Sequence, residues 1–180
     1  GTRLHSISTV LTTGTFLSGK IYIGNNVKPG GRLGEKPSKE LSKRLYNLKL
    51  EMGRLKTGTP PRLDSQSINW KCLEVQKPDD KPSLFSFIHK QPFVEQLSCA
   101  ITYTNSKTHK IISDNIHLSA MNGGSIKGVG PRYCPSIEDK IKRFYDRDRH
   151  RVMLEPEGID TDIVYPNGIS TSLPIEVQEK

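Results

Sequence analysis

Residues 128–140 read GVGPRYCPSIEDK and place a glycine loop, a cysteine and a helix start in thirteen consecutive positions. Ser136 followed by Asp139 resembles a capping box in which Asp stands for the usual Glu or Gln. Pro135, directly before the cap, disfavours any earlier helical turn. The stretch therefore predicts a helix that begins at Ser136.

Cys134 lies just before the positive end of this predicted helix, and Arg132 is two residues away. Both features favour a thiolate over a thiol. Glu138 and Asp139 partly offset the positive field. A buried, inert cysteine is the other interpretation, since free cysteine is among the most buried residue types. The local residues leave a reactive and a buried thiol equally open.

The predicted helix extends from Ser136 to about Asp148 and has two distinct faces. Its apolar positions recur at helical spacing and predict a core-facing stripe of Ile137, Ile141 and Phe144. Its basic positions lie together on another face, as a ridge of Lys140, Arg143 and Arg147 continued by Arg149 and Arg151. Such a ridge is either a solvated face or a surface that contacts phosphate groups.

Composition agrees with a basic, loop-rich protein. The 180 residues carry a formal charge of +8, 33% hydrophobic residues, 15 Gly and 12 Pro. This length predicts one domain, or one domain and a piece of another. The charge favours a polyanionic partner such as a nucleic acid. A second basic region consists of Lys36, Lys39, Lys43, Arg44, Lys49, Arg54, Lys56 and Arg62.

The apolar pattern along the chain predicts a mixed α/β fold. Strands are predicted at Ile7–Leu11, Lys20–Ile23, Cys99–Thr104, Val152–Leu154 and Ile163–Tyr165, the last followed by a turn at 166–168. Helices are predicted from Ser38 to about Asn47, with a stripe of Leu41, Leu45 and Leu48, and after Thr104 or Asn105, with His109, Ile112 and Ile116 on one side. The loop Gly53–Arg62 either holds an anionic ligand or is an ordinary turn stiffened by two prolines.

Several chemistries lack their usual motifs. The five histidines show no HExxH or HxxxH spacing, so no metal site is predicted. No GxSxG or GxGxxG motif is present, so a complete dinucleotide-binding fold is not predicted. The three cysteines form no CxxC pair, which favours a reducing, cytoplasmic setting. No apolar run reaches the length of a membrane span, so no span is predicted, and no leader peptide is expected from the first residues.

Seven blocks spread over nearly the whole chain resemble one bacterial family, the tRNA uridine 5-carboxymethylaminomethyl modification flavoproteins called MnmG or GidA. The blocks are 11–17, 30–32, 53–62, 104–109, 128–140, 154–158 and 165–173. The resemblance implies the central insertion region of a flavoprotein with two dinucleotide-binding domains, with a mixed sheet and a few flanking helices. Residues 1–24 would belong to the FAD-binding domain, 25–165 to an NAD-binding-like insertion domain that faces tRNA, and 166–180 to a return segment.

The resemblance also implies a reaction and its participants. Family members bind FAD, use NADH and methylene-tetrahydrofolate and, with the GTPase MnmE, modify the wobble uridine of certain tRNAs. The product carries a carboxymethylaminomethyl or aminomethyl group at C5. A homodimer and a cytoplasmic location are implied for the full-length enzyme. The 180 residues alone are expected to be colourless and inactive, because most of the flavin site would lie elsewhere.

Residue roles follow from the same resemblance. Cys134 matches a cysteine that acts as a nucleophile toward C6 of the uridine or toward a carbon adduct on the flavin. Arg132 and Lys140 would position phosphate or polarise the adduct. FAD contacts are implied for Ser38, Thr13, Gly14 and Thr15. The proposed NAD segment comprises Gly130, Pro131, Arg132, Tyr133, Cys134, Pro135, Ser136, Ile137, Glu138, Asp139, Lys140, Ile141, Lys142, Arg143 and Phe144. Contacts with tRNA are expected from Arg143, Arg147, Arg54, Lys56 and Arg62.

Two other functions stay open. The chain would serve as a nucleotide and tRNA docking module if Cys134 were structural. It would alternatively belong to the related folate- and FAD-dependent tRNA methyltransferases. The block RYCPS at residues 132–136 favours the MnmG family over these methyltransferases.

Overall fold

A computed structural model describes residues 2–14, 16–32, 34–126, 128, 130 and 135–180. In chain order its elements are β1 (Lys20–Ile23), β2 (Asn26–Pro29), α1 (Lys39–Asn47), β3 (Leu63–Asp64), β4 (Glu74–Gln76), β5 (Cys99–Tyr103), α2 (Ser106–Asn115), α3 (Ile137–Arg143), β6 (Arg151–Pro156), β7 (Ile163–Asn167) and α4 (Ile175–Glu179). Short 3-10 turns cover Ser65–Ser67, Trp70–Cys72 and Ile116–Leu118.

Five strands form one sheet in the order β3-β7-β6-β5-β4, and β1 pairs with β2 in a separate hairpin. The central strand, β6, pairs Leu154 with Ala100 on one side and with Pro166 on the other. Residues directly opposite each other on neighbouring strands point to the same side of the sheet, so Leu154, Ala100 and Pro166 share one face. They contribute to a core of Ala100, Val152, Leu154 and Val164, which Trp70 and Leu73 help to cover.

A second core lies where the helices meet. It consists of Ile112 from α2, Ile137 and Ile141 from α3, Leu173 just before α4 and Val177 within α4. Ile169, which lies between β7 and α4, packs against both cores. The helices and the sheet are therefore joined through this connecting segment.

Most of the predicted elements are confirmed. The structure contains the predicted strands beginning at Lys20, Cys99 and Ile163, and both predicted helices on either side of β5. The cap of α3 is also confirmed, since the Ser136 hydroxyl accepts a hydrogen bond from the Asp139 N–H at 3.2 Å. The mixed α/β class holds, but every ladder in the described sheet is antiparallel, whereas a mixed sheet was expected.

The predicted strand at Ile7–Leu11 is wrong. The structure assigns no strand there, and Ile7 and Val10 are exposed. An apolar run becomes a strand only when a neighbouring edge accepts its backbone hydrogen bonds. No described strand pairs with this segment.

The helix α3 is shorter than predicted. It ends at Arg143, and Phe144 is the C-cap residue of the helix and is 44% exposed. Phe144 therefore does not continue the buried stripe of Ile137 and Ile141. The leucine stripe of α1 is likewise not buried, because Leu48 lies just past the helix end and is 68% exposed.

The central strand should dominate the stability of the 180-residue chain. Leu154 is 4% exposed, so Leu154→Ala is expected to lower the free energy of unfolding by about 2–5 kcal/mol. The exposed Leu48→Ala should change it by less than about 0.5 kcal/mol. Urea titration followed by Trp70 fluorescence measures both. Equal midpoints for the two variants would contradict the assignment of the core.

Candidate functional site

Glu138 anchors α3 to the segment that follows β7. Its side chain is completely buried, and its Oε1 accepts hydrogen bonds from the Ser172 N–H at 3.1 Å and the Thr171 hydroxyl at 3.0 Å. The Ile137 N–H donates to the carbonyl of Ser170 at 2.8 Å. This bond and the Ser136 cap satisfy two N–H donors of the first turn of α3, those of Ile137 and Asp139, from within the fold. Ligand binding near α3 therefore depends on side chains.

Lys140 lies on the other side of α3. Its ammonium donates to the carbonyl of Gly168 at 2.7 Å, and partial burial lowers its pKa. Gly168 has a φ of +111°, and a side chain there would come within 2.8 Å of the Arg151 carbonyl. Only glycine fits this turn, and Lys140 bonds to its half-buried backbone carbonyl directly after β7.

A cleft of about 380 Å³ opens between α3 and the start of β6. Its lining residues are Pro135, Asp139, Lys140, Arg143, Phe144, Arg147, His150 and Arg151. We call it the cationic cleft, because four lysine and arginine side chains face a single carboxylate. That carboxylate, of Asp139, already lies 3.6 Å from the Lys56 ammonium. The cleft is therefore suited to an anionic ligand.

Other contacts of the arginines leave this positive charge in place. Arg147 stacks over the Phe144 ring at 5.1 Å, and Arg151 donates to the Gln76 amide oxygen at 2.8 Å. Within the described part of the chain, no ion pair with a carboxylate is formed by Arg143, Arg147 or Arg151. Their charges are not neutralised by the residues around them.

His150 is the residue of the cleft that sequence reasoning missed. It is 7% exposed, and its Nε2 has no hydrogen-bond partner among the described residues. Its ring stacks on His109 with centroids 5.2 Å apart. Burial, followed by the nearby His109, Lys140 and Arg147, lowers the pKa of His150. No motif or spacing in the sequence marks this position.

The backbone of His150 is held firmly against the end of β5. Its N–H donates to the Thr104 hydroxyl at 2.8 Å, and its carbonyl accepts from the Thr104 N–H at 2.9 Å. The same hydroxyl lies 2.7 Å from His109 Nε2. These bonds extend the β5–β6 ladder by one residue pair. The imidazole therefore projects from a rigid position.

Residues 54–56 connect the loop before α3 with the N-terminal part of the chain. A side chain at Gly128 would lie 3.1 Å from the Arg54 carbonyl, and one at Gly130 would lie 2.5 Å from Lys56 Cε. The atom approached at Gly130 is the flexible end of the Lys56 side chain, so the contact shows proximity and does not require glycine. The Arg54 guanidinium donates to the Ser18 carbonyl at 3.3 Å. Arg54 and Lys56 hence lie beside the predicted NAD segment.

Arg62 is occupied within the fold. Its guanidinium forms an ion pair with Glu157, donates to Thr59 and to the Pro60 carbonyl, and lies 4.4 Å above the Tyr165 ring. Contact with tRNA would require some of these bonds to break. Of the five predicted tRNA residues, Arg143 and Arg147 line the cationic cleft.

One predicted flavin contact, Ser38, lies at the start of α1. Ser38 is exposed, and in the described part of the chain its hydroxyl makes no capping hydrogen bond to α1. It is bridged to Leu17, and the other two described flavin candidates, Thr13 and Gly14, are also exposed. Hydroxyl groups and uncapped helix amides bind phosphate oxygens well. These residues therefore fit part of a flavin nucleotide.

The remaining predicted residues fall into two groups. Thr15 and residues 131–134, including Arg132 and Cys134, lie outside the described residues. In the described part of the NAD segment, Ser136, Ile137, Glu138 and Ile141 are buried, whereas Lys142 is exposed. Pro135, Asp139, Lys140, Arg143 and Phe144 line the cationic cleft.

Neither described cysteine has the surroundings of a reactive thiol. Cys72 is exposed and accepts a weak bond from the Asn69 amide, while burial and then Glu155 raise the pKa of Cys99. In the described ranges, no group of three His, Cys, Asp or Glu side chains is arranged to hold a metal ion. No helix in these ranges is long and apolar enough to cross a bilayer.

We predict that the two bonds accepted by Glu138 matter more than its charge. Glu138→Gln keeps an oxygen for both bonds. Glu138→Ala leaves the Ser172 N–H and the Thr171 hydroxyl without that acceptor. The alanine variant should unfold with a free energy about 1–3 kcal/mol lower than the glutamine variant. Urea titration provides the comparison, and equal losses would show that the charge is what matters.

Comparison with known proteins assigns the chain to a family. The family model described as glucose inhibited division protein A matches residues 1–180. A tRNA uridine 5-carboxymethylaminomethyl modification enzyme MnmG from Granulibacter bethesdensis is 55% identical over 99% of this chain and 28% of its own length. Crystal forms I and II of Aquifex aeolicus GidA match 93% and 92% of this chain with TM-scores of 0.80 and 0.78 at 55% and 50% identity. These matches cover 29% and 27% of the GidA chains, so this chain spans less than a third of the length of these relatives. The chain belongs to the glucose inhibited division protein A family.

Proposed function

We propose that this chain forms the central part of a flavin-dependent enzyme that modifies C5 of the wobble uridine in certain tRNAs. The group installed is carboxymethylaminomethyl or aminomethyl. Membership of the family and the name of the 55% identical relative support this proposal. The observation in the fold that carries it is the cationic cleft, because four cations around one cavity favour phosphate-bearing ligands.

The nicotinamide dinucleotide would bind at segment Gly130–Phe144. The Ile137 and Asp139 N–H groups at the start of α3 are already bonded within the fold, so the pyrophosphate would be held by side chains, chiefly Arg143 and Lys140. The exposed ring edge of Phe144 offers an apolar surface for a base or the nicotinamide. Ile137 and Ile141 would support the site from the core.

FAD would be held in part by Ser38 and by the turn at Thr13, Gly14 and Thr15. Bound FAD would supply electron and hydride transfer, NADH the reducing equivalents and methylene-tetrahydrofolate the carbon unit. This chain's contribution is a hydroxyl at Ser38 and backbone amides of α1. With so few contacts, the 180 residues alone should retain no flavin and show no activity.

Cys134 is proposed as the nucleophile. A thiolate that bonds to C6 of uridine breaks the C5–C6 double bond and places the electron pair on C5, which then attacks a carbon electrophile. Loss of the C5 proton and departure of the thiolate restore the ring. Gly130, the described residue before Cys134, abuts Lys56, and Pro135 lines the cationic cleft. Arg132, two residues before Cys134 in the sequence, would favour the thiolate.

The tRNA would approach through Arg143 and Arg147, with Arg54 and Lys56 nearer the glycine loop. We propose the domain division 1–24, 25–165 and 166–180, although residues 170–173 share bonds and a core with α3. A GTPase of the MnmE type, a homodimeric full-length enzyme and a cytoplasmic location complete the proposal.

Replacement of the cysteine in the full-length enzyme tests this function. Cys134→Ser should abolish wobble-uridine modification and leave flavin absorbance unchanged, because the alkoxide of serine is not available at neutral pH. Cys72→Ser, at an exposed cysteine, is the matched control and should keep full activity. Mass analysis of the nucleosides from digested tRNA gives the result.

Two outcomes would redirect the proposal. Full modification by Cys134→Ala together with lost tRNA affinity in Arg147→Ala would indicate a docking module with a structural cysteine. A methylated uridine as the product of the unaltered enzyme would indicate a folate-dependent methyltransferase.

A further inference from the structure

His150, which lines the cationic cleft, carries one buried polar atom that the proposed reaction does not use. His150 lines the cleft, is 7% exposed, and leaves Nε2 without a partner among the described residues. A buried polar atom without a hydrogen bond is costly, typically about 1–3 kcal/mol. Such a cost is tolerated where a ligand supplies the missing partner.

The surroundings of His150 select the charge of that ligand. Among the described residues, the titratable and charged groups around it are His109 of α2, Asp139, Lys140 and Arg143 of α3, Arg147 of the following turn and Arg151 of β6. The only carboxylate among them, of Asp139, is paired with Lys56. An anion in the cleft would therefore meet an excess of positive charge.

We propose that the cationic cleft is a proton-coupled phosphate site in which His150 is protonated as the ligand binds and donates from Nε2. The proposal deepens the nucleotide-binding part of the proposed function. It names the phosphate group as the ligand and His150 as a residue that binds it. One proton is taken from solvent, no other bond forms or breaks, and no oxidant or reductant is needed.

The rigid setting of His150 explains why it can serve this purpose. Its backbone is bonded twice to Thr104, and its ring stacks on His109. The imidazole cannot swing into water to find a partner without breaking this packing. A hydrogen-bond partner for Nε2 must therefore be supplied by a ligand that enters the cleft.

The direction of the pH dependence follows from these charges. In the free protein, burial and the neighbouring cations lower the pKa of His150, so the ring is neutral near pH 7. A bound anion offsets Lys140 and Arg147 and raises that pKa. The bound state then holds more protons than the free state over the interval between the two pKa values. Affinity for the anion should rise as pH falls through this interval.

Sulfate is a suitable probe, because it keeps its charge over the range in which histidine titrates, whereas phosphate does not. Sulfate binding to the full-length enzyme should strengthen about tenfold for each unit by which the pKa of His150 rises in the complex. Calorimetry in two buffers of different ionisation enthalpy should show proton uptake on binding. A pH-independent affinity in the unaltered enzyme would overturn the proposal.

Variants connect this effect to one side chain. His150→Gln should bind sulfate with an affinity independent of pH, and His117→Gln, at an exposed histidine, should behave as the unaltered enzyme. If His150→Gln does not fold, NMR of the His150 imidazole in the unaltered enzyme replaces it. The ring pKa should then rise on addition of sulfate, and an unchanged pKa would contradict the proposal.

The source of the phosphate is settled by competition. NAD⁺ should displace sulfate if the cleft holds a dinucleotide pyrophosphate, and a tRNA anticodon stem-loop should do so if it holds an RNA phosphate. Displacement by neither would overturn the assignment to phosphate. Proton-coupled sulfate binding that persists in Cys134→Ser separates this site from the proposed catalytic role of the cysteine.

Discussion

The buried carboxylate of Glu138 is the constraint on which the geometry of the cleft depends. Placing a carboxylate in the interior is unfavourable unless hydrogen bonds replace those it made with water. The Ser172 N–H and the Thr171 hydroxyl supply two such bonds, both to Oε1, whereas the buried Oε2 has no hydrogen-bond partner among the described residues. Both donors belong to the segment between β7 and α4. The position of α3 is thereby fixed against a segment that starts about thirty residues later in the chain.

Hydrophobic packing acts in the same direction. Ile137 and Ile141 lie beside Glu138 on α3 and share a core with Ile112 and Leu173. Once this face is buried, Lys140 and Arg143 must face the other way, toward the start of β6. The cationic cleft is therefore formed by two well-supported elements, which is how precise binding sites are usually built. Its charge follows from which face of α3 the core selects.

Local signals in the sequence predicted local structure well. Ser136 with Asp139 marked the start of α3, and the β-rich runs beginning at Cys99 and Val152 marked the strands at the centre of the sheet. Strands β3 and β4 were missed because two or three residues are too few to show a period, and their pairing depends on β7 and β5. The same dependence on a partner explains the wrong strand at Ile7–Leu11.

The site was predictable only in part, for a related reason. The basic ridge of α3 was visible from spacing, but the burial of Glu138 was not, because a glutamate in a helix normally faces water. His150 became part of the cleft through contacts with Thr104 and His109, more than forty residues earlier in the chain. Neither position carries a local signature.

Hydrogen exchange of the Ser172 and Ile137 amides tests the central claim most directly. Both lie outside the sheet, and a segment such as 170–172 would exchange quickly if it were held only by local turns. Because Ser172 donates to Glu138 and Ile137 donates to Ser170, we predict protection close to that of the β6 amides paired with β5. Exchange as fast as that of the exposed residues 85–90 would contradict the account.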